Sequence, residues 1–136
     1  MKRSGRGKHR VHAPGPGPRY ALGPAKLRLM FVPEIAIGPG KADLLDAIAA
    51  TGSISESARR MGMSYRRAWL LVDTMNRCFR EPVVASATGG PGGGGATLTP
   101  FGRRVLAQFR AMQARVDRAL ADDLGKFSEL LADRPR

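Results

Sequence analysis

The chain is poor in the residues that build covalent or metal-held scaffolds. Its 136 residues include one cysteine, Cys78, and two histidines, His9 and His12. A single cysteine excludes an internal disulfide and leaves no cysteine-rich metal site, and two histidines confined to a basic tail argue against a conventional zinc site. No apolar run approaches the roughly 18 residues of a membrane span. The positively charged start is not followed by an apolar core, so it does not read as a secretory signal. Its prolines and glycines also oppose the amphipathic helix of a transit peptide. The expectation is a soluble, cytoplasmic protein with no membrane partner.

Acidic residues are scarce as well. Lys and Arg number 23 against 11 Asp and Glu, giving a net charge of +12 and a pI near 11.4. That imbalance points to an anionic partner, nucleic acid first and an acidic membrane surface second. Eight basic residues and no acidic one fall between Met1 and Arg28. Residues 1–24 form a low-complexity Lys, Arg, Gly and Pro arm that cannot bury enough apolar surface to order itself. It is either a solubilising tail or a source of sequence-independent phosphate contacts.

Apolar content of 43% supports one modest core. The foldable part is expected over residues 25–120, with a helical extension and tail over 121–136. "KLRLMFVPEIAIGPG" holds two apolar runs around Val32-Pro33, consistent with a short strand or small hairpin. A helix then begins near Lys41, with Leu44, Leu45, Ile48 and Ala49 on one face and Thr51-Gly52 as its stop. Ser53-Ile54-Ser55-Glu56 fits a capping box for a short second helix, ending at Met61-Gly62-Met63. Ser64 caps a third, over 64–81, which Pro82 prevents from continuing.

In the third helix Ala68, Leu71, Val72, Met75 and Phe79 make the core stripe. Arg66, Asp73 and Arg77 fall on the opposite side, with Arg67 and Trp69 flanking. Two helices joined by a tight glycine-containing turn and backed by a first helix form a helix-turn-helix arrangement, with Ala58 and Gly62 suited to close crossing. An ordinary three-helix bundle has the same outline. The polar run Ser64, Tyr65, Arg66 and Arg67 favours nucleic-acid binding.

Between "VVAS" and "ATLT", six of seven consecutive residues from Gly89 to Gly95 are glycine. A linker, a nucleotide-phosphate loop and a hairpin tip are the three readings. The linker fails because Thr99-Pro100 at once opens another helix. The nucleotide loop fails because Ala96, not Lys, follows Gly95. The hairpin remains: a wing whose glycine tip, Gly89, Gly90, Gly92 and Gly93 among it, approaches a phosphate backbone closely and donates free N–H groups. The last helix runs from Pro100 to at least Leu120. Its stripe of Phe101, Val105, Phe109, Met112, Val116 and Leu120 exceeds what one small domain covers. Phe109, Met112, Val116 and Leu120 are therefore expected to pair with a second chain, the alternative being that the helix folds back on its own domain.

The segments "GSISESARRMGMSYRRAWLLVDTMNRCF" and "ATGGPGGGGATLTPFGRRVL" resemble the N-terminal winged helix-turn-helix domain of ModE-type, molybdate-responsive transcriptional regulators, and more distantly the LysR-type helix-turn-helix. The resemblance covers about Leu27 to Arg118. It implies a mainly α fold with a small β wing and a long C-terminal helix, a homodimer, and double-stranded DNA as partner. The third helix would enter the major groove, with Ser64, Tyr65, Arg66, Arg67 and Trp69 at the contact surface. Ser53, Ser55 and Arg77 complete the expected DNA-binding set. The targets would be molybdenum-related genes in a bacterial cytoplasm, at the nucleoid.

Two departures are visible. Pro91 stands in the wing where family members often carry a basic residue. Nothing in the sequence matches the small β-barrels that bind molybdate in such regulators, so direct molybdate binding is not expected and no cofactor is assigned. Two further readings compete: a non-specific architectural DNA-binding protein, and an effector-less partner subunit of a full-length regulator. Enzyme readings are weak, because Asp43, Asp46, Asp73 and Glu81 form no paired-carboxylate pattern and no Ser–His or Cys–His pair lies outside the tail. Cys78 beside the core stripe reads as a small buried filler rather than a redox sensor. Trp69 either stacks at the DNA surface or packs under the wing.

Overall fold

Three of the four described helices begin where a side-chain hydroxyl caps a first-turn backbone N–H, and the first begins at a proline instead. The computed structural model describes residues 27–31, 34–87 and 95–133. The order is β1 (Leu29–Phe31), β2 (Glu34–Ile37), α1 (Pro39–Thr51), α2 (Ile54–Arg60), α3 (Tyr65–Cys78), β3 (Val84–Ala87), β4 (Gly95–Leu98) and α4 (Pro100–Ser128). The described residues are therefore mainly helical, with two small antiparallel sheets among them, β1–β2 and β3–β4. Among the described residues, those up to Leu120 make one compact unit, and those from Ala121 onward belong to another. The basic arm lies outside the described residues.

In α1, Pro39 occupies the first turn, where its missing N–H costs nothing. Gly52 closes the helix at φ +69°, its N–H donating to the Ile48 carbonyl at 2.8 Å. The turn into α2 is a hydroxyl network. Ser57, fully buried, donates to the Ser53 carbonyl at 2.7 Å and meets the Thr51 hydroxyl at 2.9 Å. Ser53 caps α2 by accepting from the Glu56 N–H at 3.1 Å. The capping box is only half made, however. The Ser53 N–H donates to Thr51 Oγ1, and the Glu56 carboxylate turns outward to Arg59 and Arg60.

Between α2 and α3, Gly62 adopts φ +66°, and a Cβ built there would meet nothing within 4 Å. The glycine serves the left-handed turn rather than the close helix crossing expected from sequence. Ala58, 2% exposed, is the small residue at the packed side. Ser64 caps α3 by accepting from the Arg67 N–H at 3.1 Å.

α3 ends at Cys78, about three residues before the expected stop. Phe79 leaves the helix with extended backbone and stacks edge-on against Phe101 of α4, centroids 6.2 Å apart. That contact and the Arg80 guanidinium over the Phe101 ring tie the end of α3 to the start of α4. Cys78 is half-buried.

The β3–β4 ladder pairs Val84 with Leu98 and Ala87 with Gly95. Val84, Ala96 and Leu98 face inward, joining Ile37, Leu44, Leu45, Ile48, Ala68, Val72, Met75, Val83, Leu106 and Phe109 in one core. Thr99 caps α4, accepting from the Gly102 N–H at 2.8 Å and donating to the Pro82 carbonyl at 2.6 Å. Farther along α4, Arg110 bridges Asp43 and Asp46 of α1; those two hydrogen bonds, Asp43 first, hold its guanidinium above the usual arginine range. Gln113 accepts from the Leu27 N–H at 2.9 Å.

Phe109 is 1% exposed, sealed in the core of its own domain. It is thereby removed from the group expected to meet a second chain. Met112, Val116 and Leu120 are half-buried. In the other unit α4 continues through Gly125 without a break, and Phe127, Leu130 and Leu131 are exposed.

Candidate nucleic-acid interface

Four faces of α3 have different surroundings. Ala68, Val72 and Met75 are buried. On one flank Tyr65 and Trp69 line a cleft of about 280 Å³ with Ile54 and Ser55 of α2, Asn76, and Val84, Ser86 and Ala96 of the β3–β4 hairpin. On the other flank Arg67 and Leu71 line a cavity of about 440 Å³ with Arg28, Met63 and Gly38 to Lys41 at the start of α1. Between the flanks, pointing away from the core, come Arg66, Leu70 and Arg77, with Asp73 on the same row at the rim of the first cleft, which it also lines.

The hairpin is fixed to α3 through Asn76. Its Oδ1 accepts from the N–H groups of Val83 at 2.8 Å and Val84 at 3.1 Å, and its Nδ2 donates to the Val84 carbonyl at 3.1 Å. The far strand is anchored too, by the Ala96 N–H donating to the Gly52 carbonyl at 2.9 Å. A rigid tether of this kind sets where the hairpin stands beside the exposed edge of α3. From sequence, Asn76 is part of a motif without a role; only its partners across the turn reveal one.

Electrostatics separate the arginines of this surface into two groups. Arg59 and Arg60 are paired with Glu56, whose carboxyl lies below its ordinary range through the Arg59 hydrogen bond first and the charge of both arginines. Arg77 is paired with Asp73 at 3.1 Å. Among the described residues no carboxylate pairs with Arg66 or Arg67. Both are exposed, and so are Ser55, Ser64, Tyr65 and Trp69, the last two at 56% and 47%. Exposed cations without such pairing, beside exposed aromatic rings, provide donors for phosphate or base edges and apolar surface for sugars or bases.

The structure thus gathers Ser55, Tyr65 and Trp69 at one cleft and sends Arg67 to the opposite side of α3. Ser53 is half-buried and occupied as a cap. Gly89, Gly90, Gly92 and Gly93 lie outside the described residues. The Asp73–Arg77 ion pair is a feature beyond the sequence expectations, although its spacing of four on a helix is a readable signal. Leu70 is another, at 46% exposure on the outward face. Among the described residues there is no group of three or more His, Cys, Asp or Glu side chains that could hold a metal ion, and no helix is long and apolar enough to cross a membrane.

Comparison with known proteins supplies the remaining observation. No family model matches the chain. The molybdenum-pterin-binding protein MopB of Rhodobacter capsulatus is 46% identical over 85 residues, which cover 62% of this chain and 32% of that protein. The molybdenum transport protein ModE of Azotobacter vinelandii is 41% identical over 85 residues, again 62% of this chain and 32% of that protein. The DNA-binding transcriptional dual regulator ModE of Escherichia coli is 36% identical over 110 residues, 78% of this chain and 42% of that protein. The homologues are ModE and Mop proteins. This chain spans less than half the length of these curated relatives.

Proposed function

We propose that this chain is a ModE-type, sequence-specific DNA-binding transcriptional regulator built on a winged helix-turn-helix. In this reading α2 and α3 are the helix-turn-helix, α3 enters the major groove, and the β3–β4 hairpin is a wing whose glycine tip lies on the sugar–phosphate backbone. One observation carries it: the exposed side of α3 holds Arg66 and Arg67, unpaired with any carboxylate among the described residues, and its Tyr65–Trp69 flank adjoins a hairpin tethered in place by Asn76. An arginine there reads guanine bidentately. Arg67, Ser55 and the wing supply backbone contacts. The similarity to ModE of Escherichia coli, which is named a DNA-binding transcriptional dual regulator, supports the same function, and the similarity to ModE of Azotobacter vinelandii, named a molybdenum transport protein, supports a link to molybdenum.

A homodimer through α4 belongs to this proposal, with Met112, Val116 and Leu120 as its contact residues. Two copies related by a two-fold axis would place their α3 helices in successive major grooves, about 34 Å apart.

The rival reading is an architectural protein that coats DNA by charge alone, and the net charge of +12 favours it. Selection from a pool of random duplexes separates the two. The expected result is enrichment of a palindrome whose half-sites lie about one helical turn apart. Equal binding to every duplex would establish the architectural reading instead.

A further inference from the structure

The outward face of α3 carries a residue that charge does not account for. Arg66, Leu70, Asp73 and Arg77 follow one another at intervals of four, three and four, and so share a face. Leu70 stands in the middle of it, 46% exposed, between an arginine that no described carboxylate neutralises and an ion pair. The core of the domain is filled from the other side of the helix, by Ala68, Val72 and Met75. The other large exposed apolar residues of α3, Tyr65 and Trp69, lie off this line, over the cleft beside the hairpin. Leu70 is the one apolar group on the face that points straight away from the core.

A major groove offers hydrogen-bond donors and acceptors along every base edge and one apolar feature, the 5-methyl group of thymine. A leucine makes no hydrogen bond, so it can discriminate there only by packing on that methyl. Its place in the helix adds a distance. Leu70 is four residues beyond Arg66, about 6 Å along the axis at 1.5 Å per residue, which is on the order of two base-pair steps at 3.4 Å each. We propose that Leu70 is a specificity-determining residue whose side-chain methyls pack against a thymine 5-methyl within about two base pairs of the base contacted by Arg66. This rests on the reading of α3 as the helix that enters the major groove.

Deoxyuridine lacks the methyl of thymidine and differs in nothing else, so it tests the contact without touching the protein. Each thymine of the selected site is replaced singly, and the affinity of the full chain is measured at fixed salt. At one position in each half-site the uridine duplex is expected to bind about fourfold more weakly, the equivalent of one buried methylene-sized group. Leu70→Ala, and Leu70→Gln as a second variant with similar helix propensity, are expected to bind the two duplexes equally at that position. The inference is overturned if the unaltered protein is indifferent to uridine at every position, if the selected site holds no thymine near the Arg66 base, or if both variants keep the discrimination. Failure of the underlying reading looks different: no sequence is selected at all.

Discussion

Asn76 and Val84 exchange two hydrogen bonds, the side-chain amide of one matched to the backbone N–H and C=O of the other, each at 3.1 Å. A third bond, from the Val83 N–H at 2.8 Å, completes the seat. A backbone pair on the edge of β3 away from β4 is thereby satisfied by a single side chain. Asn76→Ala leaves these groups without their partner, at a cost of about 2 kcal/mol in unfolding free energy. Urea denaturation measures it, and amide exchange locates it, because the Val83 and Val84 protons should lose protection before the rest of β3. An unchanged midpoint with unchanged protection would show that water replaces the amide without loss.

The glycines of α4 make opposite predictions. A Cβ at Gly102 would collide with the carbonyl of Val83, backbone that no rotamer change can move aside, whereas one at Gly125 would meet nothing within 4 Å. Helix propensity alone predicts that alanine at either position stabilises by up to about 1 kcal/mol. Gly125→Ala is expected to follow propensity. Gly102→Ala is expected to destabilise by about 3 kcal/mol, as overpacked sites do, or to prevent folding. Thermal melts of the two variants should shift in opposite directions, and a shared rise would disprove the close approach of α4 to Val83.

These glycines mark what a sequence can and cannot reveal here. Helix starts at Ser53, Ser64 and Thr99 were legible because a cap is a bond between residues two or three apart. The phase of α3 was legible too, since its buried residues repeat on one face. Features set by distant partners were not. Periodicity placed Phe109 correctly on the apolar stripe of α4 but could not say that this chain's own core covers it. The expected reach of Glu56 back to Ser53 lost to two arginines one turn ahead. The end of α3 at Cys78 coincides with a contact that no local reading shows, Phe79 edge-on against the ring of Phe101, 22 positions farther along. Leu70 has the residue type of a core position and lies next to Leu71, so only the helical phase excludes it.

The arginines of α3 should divide functionally as they divide electrostatically. Arg66→Ala is expected to relax base preference at one position of each half-site by about 1–3 kcal/mol. Asp73 neutralises Arg77 at 3.1 Å, so Arg77→Ala should have a smaller effect. Asp73→Ala releases that arginine, and binding to unrelated duplexes should tighten with a salt slope steeper by about one unit. Anisotropy titrations across a salt series distinguish these outcomes. Uniform weakening by Arg66→Ala on all sequences would assign it to phosphate rather than to a base.

Trp69 is the chain's only tryptophan, and it is 47% exposed in the cleft beside the hairpin. Its fluorescence is therefore a reporter of that cleft alone. Bound duplex should cover the indole, by stacking or by sugar contact, and both quench its emission and shift it to shorter wavelength. Emission that stays the same at saturating duplex would place the cleft outside the footprint and leave α3 to bind without the hairpin side.

The basic arm supplies the last test. Residues 1–24 carry six Lys and Arg and no Asp or Glu. Charge of that density adds affinity without reading sequence, because each neutralised phosphate releases counterions whatever base it bears. Removing residues 1–24 should therefore leave the selected palindrome unchanged while flattening the dependence of log affinity on log salt, by about 0.9 for each phosphate that the arm had neutralised. With half of the six cations engaged per chain, the slope falls by about 2.7 per chain, about 5.4 for the dimer, and the shortened protein binds more weakly at low salt but discriminates better between its palindrome and random duplex. A slope that does not move would reduce the arm to a solubilising tail. A palindrome that changes would mean that part of the arm enters a groove, and base reading would then no longer belong to α3 alone.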